Sequence, residues 1–207
     1  MISYFNVSIN YANEVVFQDF SLEINKGEKV VLSGPSGSGK STLLHAIMGF
    51  VKPASGEIKV AGKILNPQNS RFIRKQISWL PQELSFDIKD CRDLAYFPFT
   101  YKYNQPLFPT QKEMDEMLER LLLPADILEK RTDEISGGQK QRIMLASMLL
   151  LKRPIVLLDE PTSALDADAV RALVEYIKHL PDVTLVSTSH DDNWVKNMDK
   201  IIDIKKK

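Results

Sequence analysis

Ser33-Gly34-Pro35-Ser36-Gly37-Ser38-Gly39-Lys40-Ser41-Thr42 is the stretch that decides the fold. Gly34, Gly39, Lys40 and Ser41 satisfy the G-x-x-x-x-G-K-[ST] phosphate-loop pattern. Residues 29–32 before it, Lys-Val-Val-Leu, are apolar and β-branched as a buried strand requires. Residues 43–48 after it suit a helix. Strand, glycine loop and helix together are the context the motif needs. The glycines let backbone N–H groups converge on a di- or triphosphate without side chains in the way. The helix start adds its dipole. Lys40 is placed to reach the β- and γ-phosphates, and the Ser41 hydroxyl to ligate Mg²⁺.

Working outward, the chain has 207 residues with 27 basic and 27 acidic side chains. That length suits one domain, or a core with a smaller lobe. Zero net charge gives no electrostatic case for nucleic acid as a partner. The tail Lys205-Lys206-Lys207 reads as a solubilising end. The single cysteine, Cys91, excludes an intramolecular disulfide and a cysteine-based metal site, and fits a reducing compartment. No leader is read in residues 1–11, and the longest apolar run, 143–151, is far too short to span a bilayer. Any work at a membrane therefore requires another chain to cross it.

Upstream of the loop, residues 2–7, 15–17 and 20–24 read as antiparallel strands. Tyr11 falls in the polar stretch between them. Its ring either stacks on an adenine or plugs a strand end. Downstream, residues 56–60 are a short strand, 70–75 a helical turn and 77–80 a strand ending in Pro81-Gln82. Gln82 is either a ligand for Mg²⁺ or attacking water, or a solvated loop amide. The section 83–133 changes character. Its aromatic run, Tyr96-Phe97-Pro98-Phe99-Thr100-Tyr101-Lys102-Tyr103, either docks a partner or packs inside an inserted helical lobe. In the predicted helix 111–122, Met114, Met117, Leu118, Leu121 and Leu122 recur at helical spacing and read as core.

Ile135-Ser136-Gly137-Gly138-Gln139 precedes a predicted helix over 140–151. Ser136 and Gln139 have capping-box spacing, and the same helix start is a second anion site; both readings stand together. Residues 155–158 are a buried strand ending in Asp159-Glu160-Pro161. Two adjacent carboxylates at a buried strand end are costly without partners. Alternation lets one face a Mg²⁺ shell and the next an attacking water; a structural ion pair is the other reading. Ser163-Ala164-Leu165-Asp166 leads into a helix over 167–180. Residues 183–187 form a strand ending near His190, where open α/β sheets place ligand contacts. A last strand covers 201–204. Strands alternating with helices imply an α/β fold, a mainly parallel sheet with helices on both faces, and the antiparallel N-terminal strands beside it.

In this order the motifs resemble, over essentially the whole chain, the nucleotide-binding subunit of ATP-binding cassette (ABC) proteins, a P-loop NTPase fold. GPSGSGKST looks like the Walker A loop, and IVLLDEP like Walker B with the catalytic glutamate. ISGGQKQR resembles the signature motif, with Ile135 in place of leucine. Gln82 matches the Q-loop, 163–166 the D-loop, His190 the switch histidine and Tyr11 the aromatic A-loop residue. The resemblance implies ATP and Mg²⁺ as cofactors, and a core of 1–82 and 154–207 carrying a helical lobe at 83–153. It further implies an ATP-dependent head-to-tail homodimer. Gly34 through Thr42 of one chain hold the phosphates, while Ser136, Gly137, Gly138 and Gln139 of the other close over them. Ser41, Gln82 and Asp159 serve the metal. Glu160 activates water, His190 steadies the γ-phosphate, and Asp166 links the two sites. A separate transmembrane permease would dock on the lobe at the cytoplasmic side of the membrane.

Within residues 95–145, Phe97-Pro98, Leu118-Glu119-Arg120-Leu121, Pro124, Asp126-Ile127-Leu128 and Lys130 look like the ATPase subunit of Fet-type bacterial iron exporters. The expected function is thus the ATP-hydrolysing subunit of a transporter, with iron or another metal as a candidate cargo. Two alternatives stand beside it. One is a soluble ABC ATPase accessory, such as one serving iron–sulfur cluster assembly. The other is a nucleotide-gated scaffold without turnover, against which Glu160 and His190 argue.

Overall fold

The computed structural model describes residues 1–11, 14–84 and 87–205, with Tyr11 described as backbone only. The chain begins with strands β1 (Ile2–Tyr11), β2 (Glu14–Ile24) and β3 (Lys29–Ser33), then helix α1 (Lys40–Ile47). Strands β4 (Ser55–Val60) and β5 (Lys63–Ile64), helix α2 (Pro67–Arg74) and strand β6 (Ile77–Leu80) follow. Three helices come next: α3 (Cys91–Thr100), α4 (Gln111–Arg120) and α5 (Gly137–Leu150). The chain closes with β7 (Ile155–Asp159), α6 (Ala167–Lys178), β8 (Thr184–Thr188), α7 (Asp192–Lys196) and β9 (Lys200–Asp203).

Two sheets result. A four-stranded antiparallel sheet has the order β2-β1-β4-β5, and a five-stranded sheet the order β6-β7-β8-β3-β9. Every pairing in the second is parallel. Its central strands β7 and β8 are buried along their whole length, as strands covered on both faces should be, whereas the edge strand β9 is partly exposed. Alternation divides them. Val31, Leu80, Val156, Leu158 and Leu185 join the core built with α3, α4, α5 and α6. Val30, Leu32, Ile77, Ile155, Leu157 and Val186 face the opposite core, shared with α1 and the antiparallel sheet. The α/β reading with an antiparallel N-terminal subdomain therefore holds.

Several boundaries differ from the sequence reading for local reasons. The strand pieces 15–17 and 20–24 are one strand, β2, whose register against β1 shifts irregularly; Asp19 takes a left-handed φ of 52° within it. The helical turn at 70–75 is a full helix starting at Pro67, capped by the Asn66 side chain on Asn69 N–H at 2.8 Å. The aromatic run begins inside α3, and Pro98 sits two residues before its end, where the helix is already stopping. The run divides between its two readings. Phe99 is fully buried and Tyr96 stacks on Phe108 at 5.0 Å, whereas Tyr101 and Tyr103 are exposed. Helix α5 starts at Gly137, three residues before the expected 140, because the Ser136–Gln139 capping box forms in full.

Candidate functional site

All five strands of the parallel sheet run the same way, so the segments leaving β3, β6, β7 and β8 meet at one edge. There they frame an open cleft of about 690 Å³. Ser36, Gly37, Gly39, Lys40, Ser41 and Thr42 form its floor. Gln82, Glu160 and His190 stand around it. Gly34, Pro35 and Ser38 belong to the same loop but are not among the residues that line the cleft. A Cβ on Gly34 would collide with the Ile204 carbonyl that follows β9, which fixes glycine there. Gly37, at φ 74°, has open space where its Cβ would be, so the backbone itself faces the cleft.

Helix α1 opens on Gly39 in the left-handed conformation, with no side-chain cap. Its first N–H groups are thus left for a ligand. Lys40 is 7% exposed, and its ammonium donates to the Gly34 and Pro35 carbonyls at 2.8 and 3.1 Å. It also lies 3.2 Å from His190 Nε2. The loop is therefore wrapped over its own lysine, a cation lodged beneath a cradle of donors. That arrangement fits a polyphosphate.

The two carboxylates after β7 have separate surroundings. Asp159 is buried, and its Oδ1 accepts from Thr188 Oγ1 at 2.7 Å and from Ser41 Oγ at 3.0 Å. An oxygen-only set of a hydroxyl and a carboxylate suits a hard cation such as Mg²⁺. Glu160 instead turns toward the cleft, its Oε1 3.4 Å from His190 Nε2. It does so with a left-handed φ of 49°, a conformation costing a non-glycine residue about 1–2 kcal/mol. Its peptide groups hold it there. Glu160 N–H donates to Thr188 Oγ1 at 2.9 Å, and its carbonyl accepts from Gln141 Nε2 at 3.2 Å and Ser163 Oγ at 3.0 Å. Thr188 thus serves both carboxylates at once.

The loop after β8 is fixed similarly. Ser189 Oγ and Thr162 Oγ1 lie 2.9 Å apart, and Asp191 N–H donates to Ser189 Oγ at 3.0 Å. Trp194, fully buried, donates its indole N–H to Ser187 Oγ at 2.9 Å. The histidine ring itself stays half exposed, above a glutamate side chain that is 12% exposed.

Not every expected residue joins this cleft. Among the described residues lining it, none comes from Ser136, Gly137, Gly138 or Gln139. Gly138 packs elsewhere: a Cβ there would strike the Ala164 carbonyl. Asp166 also lies outside the lining. Its side chain accepts from Ala169 N–H at 2.8 Å as the cap of α6, and that bond holds its carboxyl below the usual range. The Tyr11 side chain falls outside the described residues. Conversely, Val16, Thr162 and Asp191 line the cleft and Thr188 supports it, none of them singled out from sequence. Thr188 and Asp191 flank expected site positions at a strand end; Val16 carries no chemical mark at all.

Comparison with known proteins agrees with this geometry. The sequence model of the ABC transporter family matches residues 17–163. The chain is 34% identical over 206 residues to the ergothioneine transport ATP-binding protein EgtV of Helicobacter pylori (strain G27), covering 97% of this chain and 95% of that one. It is 36% identical over 212 residues to the phosphonates import ATP-binding protein PhnC of Lactobacillus delbrueckii subsp. bulgaricus, covering 95% and 82%. Among solved structures, the fold matches the dimeric, post-hydrolysis ATP-binding cassette MJ0796 bound to ADP and Pi. There the TM-score is 0.84 at 27% identity, over 100% of this chain and 95% of that one.

Proposed function

The chain belongs to the ABC transporter family as an ATP-binding, ATP-hydrolysing domain, and from that premise we propose that it energises a separate membrane-spanning partner through the cleft described above. One observation carries the reading. Lys40, Ser41, Asp159, Glu160, Thr188 and His190 form a connected polar set around the phosphate-loop cradle.

In this reading the backbone of Gly34 through Thr42 and the Lys40 ammonium hold the β- and γ-phosphates. Ser41 and Asp159, with Gln82, would hold Mg²⁺. When bound, that ion neutralises charge on the phosphate oxygens. Glu160 orients a water molecule and accepts its proton as the water oxygen bonds to the γ-phosphorus. The bond to the β–γ bridging oxygen breaks, leaving ADP and phosphate. His190, donating from above the glutamate, steadies the γ-phosphate. Catalysis is positioning and charge stabilisation, and no covalent intermediate is needed.

The cleft lacks Ser136, Gly137 and Gly138, and MJ0796 is dimeric. Both support a head-to-tail homodimer in which a second copy supplies those residues, with Asp166 near the junction. No helix among the described residues is long and apolar enough to cross a membrane. Relatives named as transport ATP-binding proteins support a peripheral subunit at the cytoplasmic face, with the helical lobe, 83–153, docking on the permease. EgtV and PhnC are named for ergothioneine and phosphonates. Iron export is the narrower reading favoured only by the lobe's likeness, and iron efflux from a strain lacking the pair tests it.

The test of the ATPase assignment is Glu160→Gln. It should abolish steady-state hydrolysis while retaining ATP and stabilising the dimer. Unchanged turnover overturns the catalytic role. Capture of the tagged variant from detergent-solubilised membranes with ATP and Mg²⁺ tests the transporter role. A multi-span protein is the expected companion, and recovery of soluble proteins alone would favour the accessory reading.

A further inference from the structure

A second polar pocket, of about 320 Å³, lies at the other end of the sheet. It is walled by Arg71 and Arg74 of α2, Lys75 just past it, Tyr103 and Asn104 after α3, and Arg153 between α5 and β7. It therefore opens near the amino ends of β6 and β7, whereas the nucleotide cleft sits at the carboxyl ends. Among the described residues, no acidic side chain lines it. Among the described residues, none of its four cations makes an ion pair. The chain as a whole is neutral, so this is a local concentration of charge.

The cations are positioned rather than splayed. The Lys75 ammonium sits 3.8 Å from the centre of the Tyr103 ring, and the Arg153 guanidinium carbon 4.9 Å from it. Arg153 Nη2 donates to Asn104 Oδ1 at 2.5 Å, and Asn104 Nδ2 donates to the Pro98 carbonyl at 2.8 Å. Arg74 Nε donates to the Met48 carbonyl at 3.1 Å, and its guanidinium lies 5.7 Å from the Phe50 ring. Each of these two guanidinium groups is thus steadied by one hydrogen bond and one ring, with further N–H donors on its fork. Lys75 and Arg153 are half buried, so water screens their mutual repulsion only in part.

We propose that this pocket binds a phosphate-bearing anion, either free or as a lipid headgroup. The Arg153 fork, steadied by Asn104 and Tyr103 that themselves line the pocket, keeps further N–H donors for phosphate oxygens, and a multiply charged anion relieves the repulsion among the cations. The ligand would touch α2, the segment after α3 and the α5–β7 connection together, and so hold the helical lobe to the sheet. Nothing in the nucleotide reaction uses these residues.

The probe is inorganic pyrophosphate, followed by residue-resolved amide NMR. Shifts at Lys75, Tyr103 and Asn104 report this pocket, and shifts at Gly37 and Gly39 report the phosphate loop separately. Saturable shifts at the first set are expected. Their dissociation constant should rise at least about tenfold in Lys75→Gln/Arg153→Gln. It should rise several-fold in Arg71→Gln, an exposed substitution that does not threaten folding. Lys59→Gln, on the antiparallel sheet, should leave it unchanged. A sedimentation arm uses phosphatidylcholine vesicles with and without phosphatidic acid. Binding to phosphatidic acid that the double variant loses, with no pyrophosphate shift in the pocket, assigns the phosphate to a lipid. Pyrophosphate binding without vesicle binding assigns it to a free anion. Absence of both, or binding indifferent to these substitutions, overturns the proposal.

Discussion

Thr188→Val tests how the two carboxylates after β7 are held apart in role. Valine matches threonine in shape, so the change removes one hydroxyl and little else. That hydroxyl donates to Asp159 Oδ1 at 2.7 Å and accepts Glu160 N–H at 2.9 Å, with Thr188 itself fully buried. A hydrogen bond to a charged group contributes about 1.5–3 kcal/mol, and a buried N–H left unpaired costs about 1–3 kcal/mol. The expected loss is therefore about 3–5 kcal/mol, a large part of the 5–15 kcal/mol that holds a typical domain. Urea unfolding followed by circular dichroism reads it as a lower midpoint with an unchanged slope. Function should suffer as well, because Glu160 loses one of the bonds that keep its left-handed backbone aimed at the cleft. ATP turnover should fall more than ATP affinity. Thr188→Ser is the control. It keeps the hydroxyl and forfeits a buried methyl, about 0.8 kcal/mol, so it should retain most stability and turnover. If Thr188→Val lies within about 1 kcal/mol of the parent, or Thr188→Ser is equally damaging, the hydroxyl is not what holds the site.

Other outcomes follow from the same geometry. Gly138→Ala places a methyl against the Ala164 carbonyl; displacing backbone should cost about 1–3 kcal/mol and depress ATP turnover, whereas Gly137→Ala, with open space around it, should leave stability within about 0.5 kcal/mol. Ser41→Ala removes the 3.0 Å bond to Asp159 and the hydroxyl proposed for Mg²⁺, so the metal dependence of hydrolysis should shift to higher concentration; an unmoved dependence excludes that role. The Glu113 carboxyl accepts from Thr110 N–H and then from Lys152 and the Thr110 hydroxyl, which pull its pKa down to about 2. A depressed carboxyl stabilises the fold above the ordinary value of 4.5, and that contribution fades as pH falls from there toward 2. Lys152→Ala should raise the Glu113 pKa in a carbon-detected NMR titration, and a titration midpoint near 4.5 in the parent protein would refute the capping geometry.

How much of this was legible in the chain depended on whether the deciding interaction was local. The strand Ile77–Leu80 was readable residue for residue, because a short run rich in large apolar side chains, stopped by Pro81, leaves few alternatives. The phosphate loop was readable because its residues recur at fixed spacing, whereas Glu160 and His190 were given their roles only through the order of motifs shared with the family, and both lie at the cleft. Helix α3 was hidden by its aromatic and proline content, and burial of Phe99, Leu94 and Ala95 overrides that local preference. The start of α2 was missed although Asn66-Pro67 is a strong opening signal. Thr188 could not be found by pattern. A hydroxyl residue at a strand end is ordinary, and its value arises only when β8 lies beside β7 in register, pairing Thr188 with Asp159. The basic pocket was invisible for the same reason: its cations come from positions 71–75 and 153, and only the packing of the lobe on the sheet gathers them.

The contact between Gly138 and Ala164 bears on why the site is divided. Helix α5 begins at Gly137 and runs into the core that covers the sheet, while 163–166 leads from Glu160 into α6. Gly138 therefore abuts the loop whose first residue, Ser163, bonds to the Glu160 carbonyl at 3.0 Å. Gln141, one turn further along α5, donates to that same carbonyl at 3.2 Å. Thus the signature end of α5 touches the backbone of the proposed base through Gln141 and the loop after that base through Gly138, within one chain, although the signature residues do not line that chain's cleft. In the proposed dimer this makes a mechanical link. Closing the signature of one copy over the partner's nucleotide presses on the loop that orients its own Glu160. Hydrolysis at the two sites should accordingly be coupled, and Gln141→Leu, which removes one of the two contacts without touching ligand, should weaken the coupling. The readout is the Hill coefficient for ATP in steady-state turnover: it should fall toward one, while retention of the parent value would refute the link.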